Sequence, residues 1–161
     1  MEEIIRFQKY MLLIRRTVGW TAEEFGEKIG GTRQTINNLE KNNRDKFKLN
    51  KTQYIAMRSV LDAEMSKYPD ETEMLRLILD VFIDNPENYP DEDRERLLNK
   101  ANMLTPSILA GTTSRKDVSK ELIAVAAAVG FAAALAPLSI GLAAGSTVTA
   151  GWLAKTIFRK D

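Results

Sequence analysis

GWTAEEFGEKIGGTRQTINNLEK, residues 19–41, carries the punctuation that decides the fold. Gly19 is a natural helix terminator, because glycine enters left-handed backbone at little cost. Thr21 followed three residues later by Glu24 forms a capping box, which predicts a helix from Ala22 to about Ile29. The Gly30-Gly31 pair forces a turn. Thr32 is the next N-cap and predicts a third helix from Arg33 to Glu40, with Ile36 and Leu39 facing inward.

Upstream, Ile4, Ile5, Phe7, Met11, Leu12, Ile14 and Val18 recur mostly at three- and four-residue spacing, so residues 4–18 read as an amphipathic helix. Downstream, Lys41 to Asn50 (KNNRDKFKLN) is polar, basic and loop-like. A fourth helix is expected over about Lys51 to Met65, offering Tyr54, Ile55, Val60 and Leu61 to the core. Pro69 breaks the chain, and Glu71 to Ile83 reads as one further amphipathic helix. Asn85-Pro86 and Tyr89-Pro90 punctuate the next loop. Asp91 opens a charged helix to about Met103, acidic early and basic late as the helix dipole prefers. Thr105-Pro106 to Arg115 reads as a short helix and a linker. No strand alternation appears, so the chain is expected to be all-α. Its expected parts are an N-terminal helix-turn-helix domain (1–67), an acidic helical middle (68–115) and an apolar Ala/Gly-rich helical hairpin (116–161).

Two short helices joined by a tight turn suit the geometry in which a second helix enters the DNA major groove. The exposed start of the third helix would then present Thr32, Arg33, Gln34 and Thr35, with Asn37 a turn later. Gln and Asn can pair with adenine, Arg with guanine, and Thr can meet a thymine methyl. Lys41, Arg44, Lys46 and Lys48 in the following loop, with Thr21 at the start of the second helix, are expected phosphate contacts. The plainer reading of each is a cap or a solvated side chain. One such unit covers only a half-site, so a homodimer on a short palindrome is expected. The apolar stripe Leu75, Ile78, Val81 and Phe82 is either its dimer surface or internal packing against the fourth helix.

The same stretch resembles the lambda-repressor/Cro-like (Xre) helix-turn-helix family, whose pattern runs roughly G-L-T-Q-E-E-L-A-x-x-L-G-V-S-R-Q-T-I-S-x-I-E. Gly19, Thr21, Glu23, Glu24, Gly30, Arg33, Gln34, Thr35, Ile36 and Glu40 match it as they stand. Phe25, Ile29, Thr32 and Leu39 are conservative replacements. The resemblance covers about residues 4–65 and extends to Arg15 upstream and to Tyr54-Ile55-Ala56 and Val60-Leu61 downstream. It implies a lambda-repressor-like domain of four to five helices, a structural ion pair between Arg15 and Glu40, and base reading by Gln34 and Asn37. Three positions depart from the pattern. Ala22 stands where a glutamine usually positions the recognition helix. Gly26 replaces an alanine, which should loosen the second helix by roughly 1 kcal/mol. Gly31 replaces a small apolar residue under the turn.

Composition bounds the chemistry. The 161 residues contain no Cys and no His. That removes disulfides, thiol nucleophiles, the usual zinc ligands and the commonest general base. The dinucleotide, phosphate-loop and Gly-x-Ser-x-Gly motifs are missing too. The acidic run Asp91, Glu92, Asp93 and Glu95 reads as solvated capping, so neither an enzyme nor a cofactor is expected. Residues 1–60 hold 12 Lys/Arg against 7 Asp/Glu, and residues 61–115 hold 6 against 12. A basic front and an acidic middle suggest separate tasks. The opening MEEIIRFQKY starts with two acidic residues and lacks an apolar run followed by a cleavage site, so no secretory signal is read and a cytoplasmic protein is expected.

The tail differs in kind: Leu122 to Ala154 is 33 residues without a charge. It reads as a membrane-inserted hairpin turning at Pro137-Leu138-Ser139, as a single crossing, which the basic C-terminus disfavours, or as a buried hairpin or oligomer core spanning 122–158. Arms Leu122–Ala136 and Ile140–Phe158 are short to marginal for a ~30 Å hydrocarbon core at ~1.5 Å per residue. The basic flanks Lys116/Lys120 and Lys155/Arg159/Lys160 would hold such a hairpin to the inner membrane face. Two functions follow. The first is a sequence-specific DNA-binding regulator, a repressor of the kind frequent in bacteria and their mobile elements. The second is a membrane-associated or oligomerising effector whose tail does the work, with the helix-turn-helix as sensor, autoregulator or protein-binding surface.

Overall fold

The computed structural model describes residues 2–41, 43–128 and 148–158. They are overwhelmingly helical, and no strand occurs among them. Helix α1 (Glu2–Val18) has Glu2 and Glu3 in its first turn and Arg15 and Arg16 in its last, matching its dipole. Phe7, Met11, Ile14 and Val18 form its buried stripe. Gly19 ends it at φ +80°, its N–H returning to the Arg15 carbonyl at 3.0 Å.

Helices α2 (Ala22–Lys28) and α3 (Arg33–Glu40) follow. Helix α4 (Lys51–Lys67) starts in a capping box: Asn50 accepts from the Gln53 N–H at 2.8 Å, and Gln53 accepts from the Asn50 N–H at 3.2 Å. Tyr54, Met57, Leu61 and Met65 are its buried apolar residues, whereas Ile55 and Val60 only flank the core.

The helix expected over Glu71–Ile83 is not one α-helix. Helix α5 (Glu73–Ile78) widens into a π-helical turn over Leu79–Asp84, closed by Asn85 N–H to the Asp80 carbonyl at 2.9 Å. Leu77, Ile78 and Leu79, then Val81, Phe82 and Ile83, are all buried. So many consecutive apolar residues cannot share one face of a regular helix, and this segment is enclosed on several sides. Its last turn is capped from outside, with Arg6 donating twice to the Ile83 carbonyl at 2.9 and 2.7 Å. The stripe Leu75, Ile78, Val81 and Phe82 is buried within the chain, Phe82 stacking 4.9 Å from Tyr10 of α1. This corrects the dimer-surface alternative: the stripe is covered by the chain's own helices, α1 foremost.

A 3-10 turn (Pro86–Asn88) leads to α6 (Asp91–Leu104), α7 (Pro106–Leu109) and α8 (Arg115–Ala128). The acidic start of α6 is spent locally, Asp91 pairing with Arg94 and Glu92 with Arg96 at 2.6 Å. No group able to hold a metal occurs among the described residues. Helix α8 buries Val118, Ser119, Leu122 and Ala126, and Ser119 Oγ accepts the Met74 N–H at 3.0 Å. Arg115 ties the segments together: it donates to the Val18 carbonyl at 3.1 Å, to Glu64 at 2.7 Å and to Glu71 at 2.8 Å.

Helix α9 (Val148–Phe158) docks on α4 through Trp152. The indole N–H donates to buried Asp62 at 2.6 Å, and the ring lies 5.9 Å from Tyr54 and 4.9 Å from the Arg58 guanidinium. Residues from all three sequence segments therefore share one buried core. No helix among the described residues is long and apolar enough to cross a membrane. The expected turn at Pro137-Leu138-Ser139 lies outside the described residues.

Candidate nucleic-acid interface

The turn between α2 and α3 is held by contacts that each trace to one residue type. Thr21 caps α2 in both directions, its Oγ accepting the Glu24 N–H at 3.1 Å and its own N–H reaching Glu24 Oε2 at 2.7 Å. Trp20 lies 5.7 Å from Phe25, and Lys28 Nζ sits over the Trp20 ring at 4.7 Å. Gly30 supplies the left-handed residue, at φ +71°. Gly26 marks a close approach of backbones: a Cβ there would lie 2.7 Å from the Thr32 carbonyl carbon and 2.8 Å from its oxygen. The sequence marks Gly26 as a loose point in α2, whereas the structure makes it the residue that lets α2 meet the start of α3.

The far end of α3 is stapled to α1. Arg15 Nε and Nη2 reach the two Glu40 carboxylate oxygens at 2.5 and 3.0 Å, and Nη1 reaches the Trp20 carbonyl at 3.0 Å. The pair is nearly excluded from solvent. Removing one member of such a pair typically costs about 3–5 kcal/mol, because the other is left as an uncompensated buried charge. With Ile36 and Leu39 buried beneath it, α3 has one exposed edge in a fixed orientation.

Along that edge Arg33 and Gln34 are exposed, Thr35, Asn37 and Asn38 are half-buried, and Lys41 is exposed at the C-cap. Thr32 is exposed but engaged: its Oγ accepts the Thr35 N–H at 3.2 Å and lies 3.1 Å from the Thr35 hydroxyl. Gln34 Nε2 donates to Asn38 Oδ1 at 2.9 Å, one turn along. Of the expected base readers, Arg33 and Gln34 are exposed beyond the cap, Gln34 with its amide group already joined to Asn38. Thr32 and Thr35 are occupied with the cap.

The basic loop follows directly. Lys46 and Lys48 are exposed and Arg44 is half-buried. Lys46 Nζ lies over the Phe47 ring at 5.3 Å. Sequence reasoning missed the residue that fixes this loop. Gln8, buried in α1, donates from Nε2 to the carbonyls of Leu39 at 3.2 Å and Phe47 at 2.7 Å. Its Oε1 accepts the Leu49 N–H at 3.1 Å and faces Arg44 Nε at 3.4 Å. The available signal was a carboxamide beside Phe7 and three residues before Met11, within the inward stripe, where an amide needs partners.

The arrangement presents hydrogen-bonding side chains on one rigid helix edge, with lysines beside it. Comparison with protein-family models, with curated proteins and with solved structures finds no match for this chain.

Proposed function

We propose that this chain binds double-stranded DNA, with α3 in the major groove and the loop after it on the phosphate backbone. The observation that carries the reading is the exposed Arg33–Gln34 edge of α3, fixed by Gly26 below and by the Arg15–Glu40 pair behind. Arg33 pairs with guanine and Gln34 with adenine through major-groove edges. Lys41, Lys46 and Lys48 meet phosphates, supplying affinity without sequence information. The resemblance of residues 4–65 to the Xre family supports the same docking and a role as a transcriptional repressor. On this reading the chain acts as a dimer on a short palindrome, since one helix-turn-helix reads only a half-site. The described ends of the charge-free tail are packed on the same core, which supports a structural task for them.

The test is selection of bound duplexes from a random pool, followed by binding at a series of salt concentrations. Enrichment of one motif, with log K falling linearly in log salt, is expected. Gln34→Ala should relax sequence choice, whereas Lys46→Ala should weaken all duplexes alike. No enrichment and no salt-dependent affinity would overturn the reading. Equal effects of the two substitutions would overturn the roles given to these residues.

A further inference from the structure

The geometry points to Gln8 as a positioning residue for the phosphate-contacting loop: from inside α1 it holds residues 43–49 in the shape that puts Lys46 and Lys48 on DNA. This rests on the DNA-binding reading above and deepens it. Gln8 touches no ligand itself. One carboxamide spans the end of α3 and the two ends of the Phe47–Leu49 segment, through the carbonyls of Leu39 and Phe47 and the N–H of Leu49. Lys46 and Lys48 flank the residue whose carbonyl it holds, and Arg44 approaches its oxygen. Among the described residues of the loop, Lys46 and Phe47 return to the Asn43 carbonyl at 3.2 and 2.8 Å. Leu49 is buried below and Asn50 caps α4. Gln8 therefore joins a short polar loop to α1 and to the recognition helix, so the lysines meet successive phosphates without an ordering cost at binding.

Two measurements test this. In the wild-type chain the Leu49 amide, the donor to Gln8, is expected to be protected from hydrogen exchange; exchange at the rate of an exposed amide overturns the inference. Next, Gln8→Met keeps the length and removes the hydrogen bonds of the carboxamide. Affinity is read on the folded fraction, against salt and against sequence. The slope of log K with log salt is expected to shrink by about 2, at about 0.9 for each phosphate no longer neutralised. Sequence choice is expected to stay as in the wild type, and adding Lys46→Ala should cost nothing further. A role confined to stability lowers the folded fraction but leaves slope and Lys46 coupling intact, and that result overturns the inference. If Gln8→Met does not fold, Gln8→Asn serves, since the shorter amide cannot reach the Phe47 carbonyl and Leu49 amide together. A wild-type chain with no duplex binding overturns the DNA reading and this inference with it. A wild-type chain that binds, beside a variant of equal slope, overturns the inference alone.

Discussion

Two glycines five residues apart, one in α2 and one in the turn after it, are present for different reasons. A Cβ on Gly26 would press on the Thr32 carbonyl, which is backbone and cannot swing away. A Cβ on Gly31 would make ordinary contacts, 3.7 Å from the Gly26 carbonyl oxygen and 3.8 Å from the Ile29 side chain. Overpacking against backbone costs about 1–3 kcal/mol, of which alanine's helix propensity returns roughly 1 kcal/mol, so Gly26→Ala is expected to destabilise the chain by up to about 2 kcal/mol. Gly31→Ala should stabilise by about 0.4–1 kcal/mol, by restricting the unfolded chain. Urea denaturation of both variants checks this, and the prediction fails if the two shifts share a sign. Helix propensity was legible from residue type at Gly26. The close approach of a second backbone was not, because it depends on how two elements cross.

At the scale of elements, the caps were readable because their partners lie three residues apart in the chain. Thr21 with Glu24 and Thr32 with Thr35 stand as a local rule requires. The π-helical turn at Leu79–Asp84 was not readable, since periodicity alone reports one helix through it. The docking of α9 on α4 likewise joins residues 90 apart, Asp62 and Trp152. Burial raises the Asp62 carboxyl above its ordinary value of 3.8, against the Trp152 hydrogen bond and the Arg58 charge, which lower it. Asp84 raises it further and Arg76 lowers it. A raised carboxyl binds its proton more tightly in the folded state. Its stabilising contribution is therefore complete below 3.8 and is lost as pH rises through the folded value. The stability of the wild type relative to Asp62→Asn should fall across that window and level off above it. Urea midpoints of both proteins over a pH series check this, and parallel profiles would refute it.

At the scale of the whole molecule, the three compositional segments share one core, joined by a few polar links. Arg58 reaches Asp84 at 2.8 and 2.9 Å, and Arg115 bridges Glu64, Glu71 and the end of α1. Trp152 is the corresponding link from the C-terminal helix. Trp152→Ala removes a buried aromatic ring and strands the Asp62 carboxylate, so a loss of about 3–5 kcal/mol is expected. A single unfolding transition with a lowered urea midpoint is the expected record. An unchanged midpoint would mean that α9 contributes nothing to the core.

The sequence by itself determined the helical character, the boundaries of α2 and α3, their caps and the residues on the exposed edge of α3. All of these follow from spacing within a few residues, where propensity, capping and periodicity act. Tertiary structure decided which apolar stripe is covered and by what, why Gly26 must lack a side chain, what holds the basic loop, and where Trp152 goes. Those outcomes depend on pairs such as Gln8 with Phe47 and Asp62 with Trp152. Their partners are brought together only by packing of distant helices, and no local pattern encodes them.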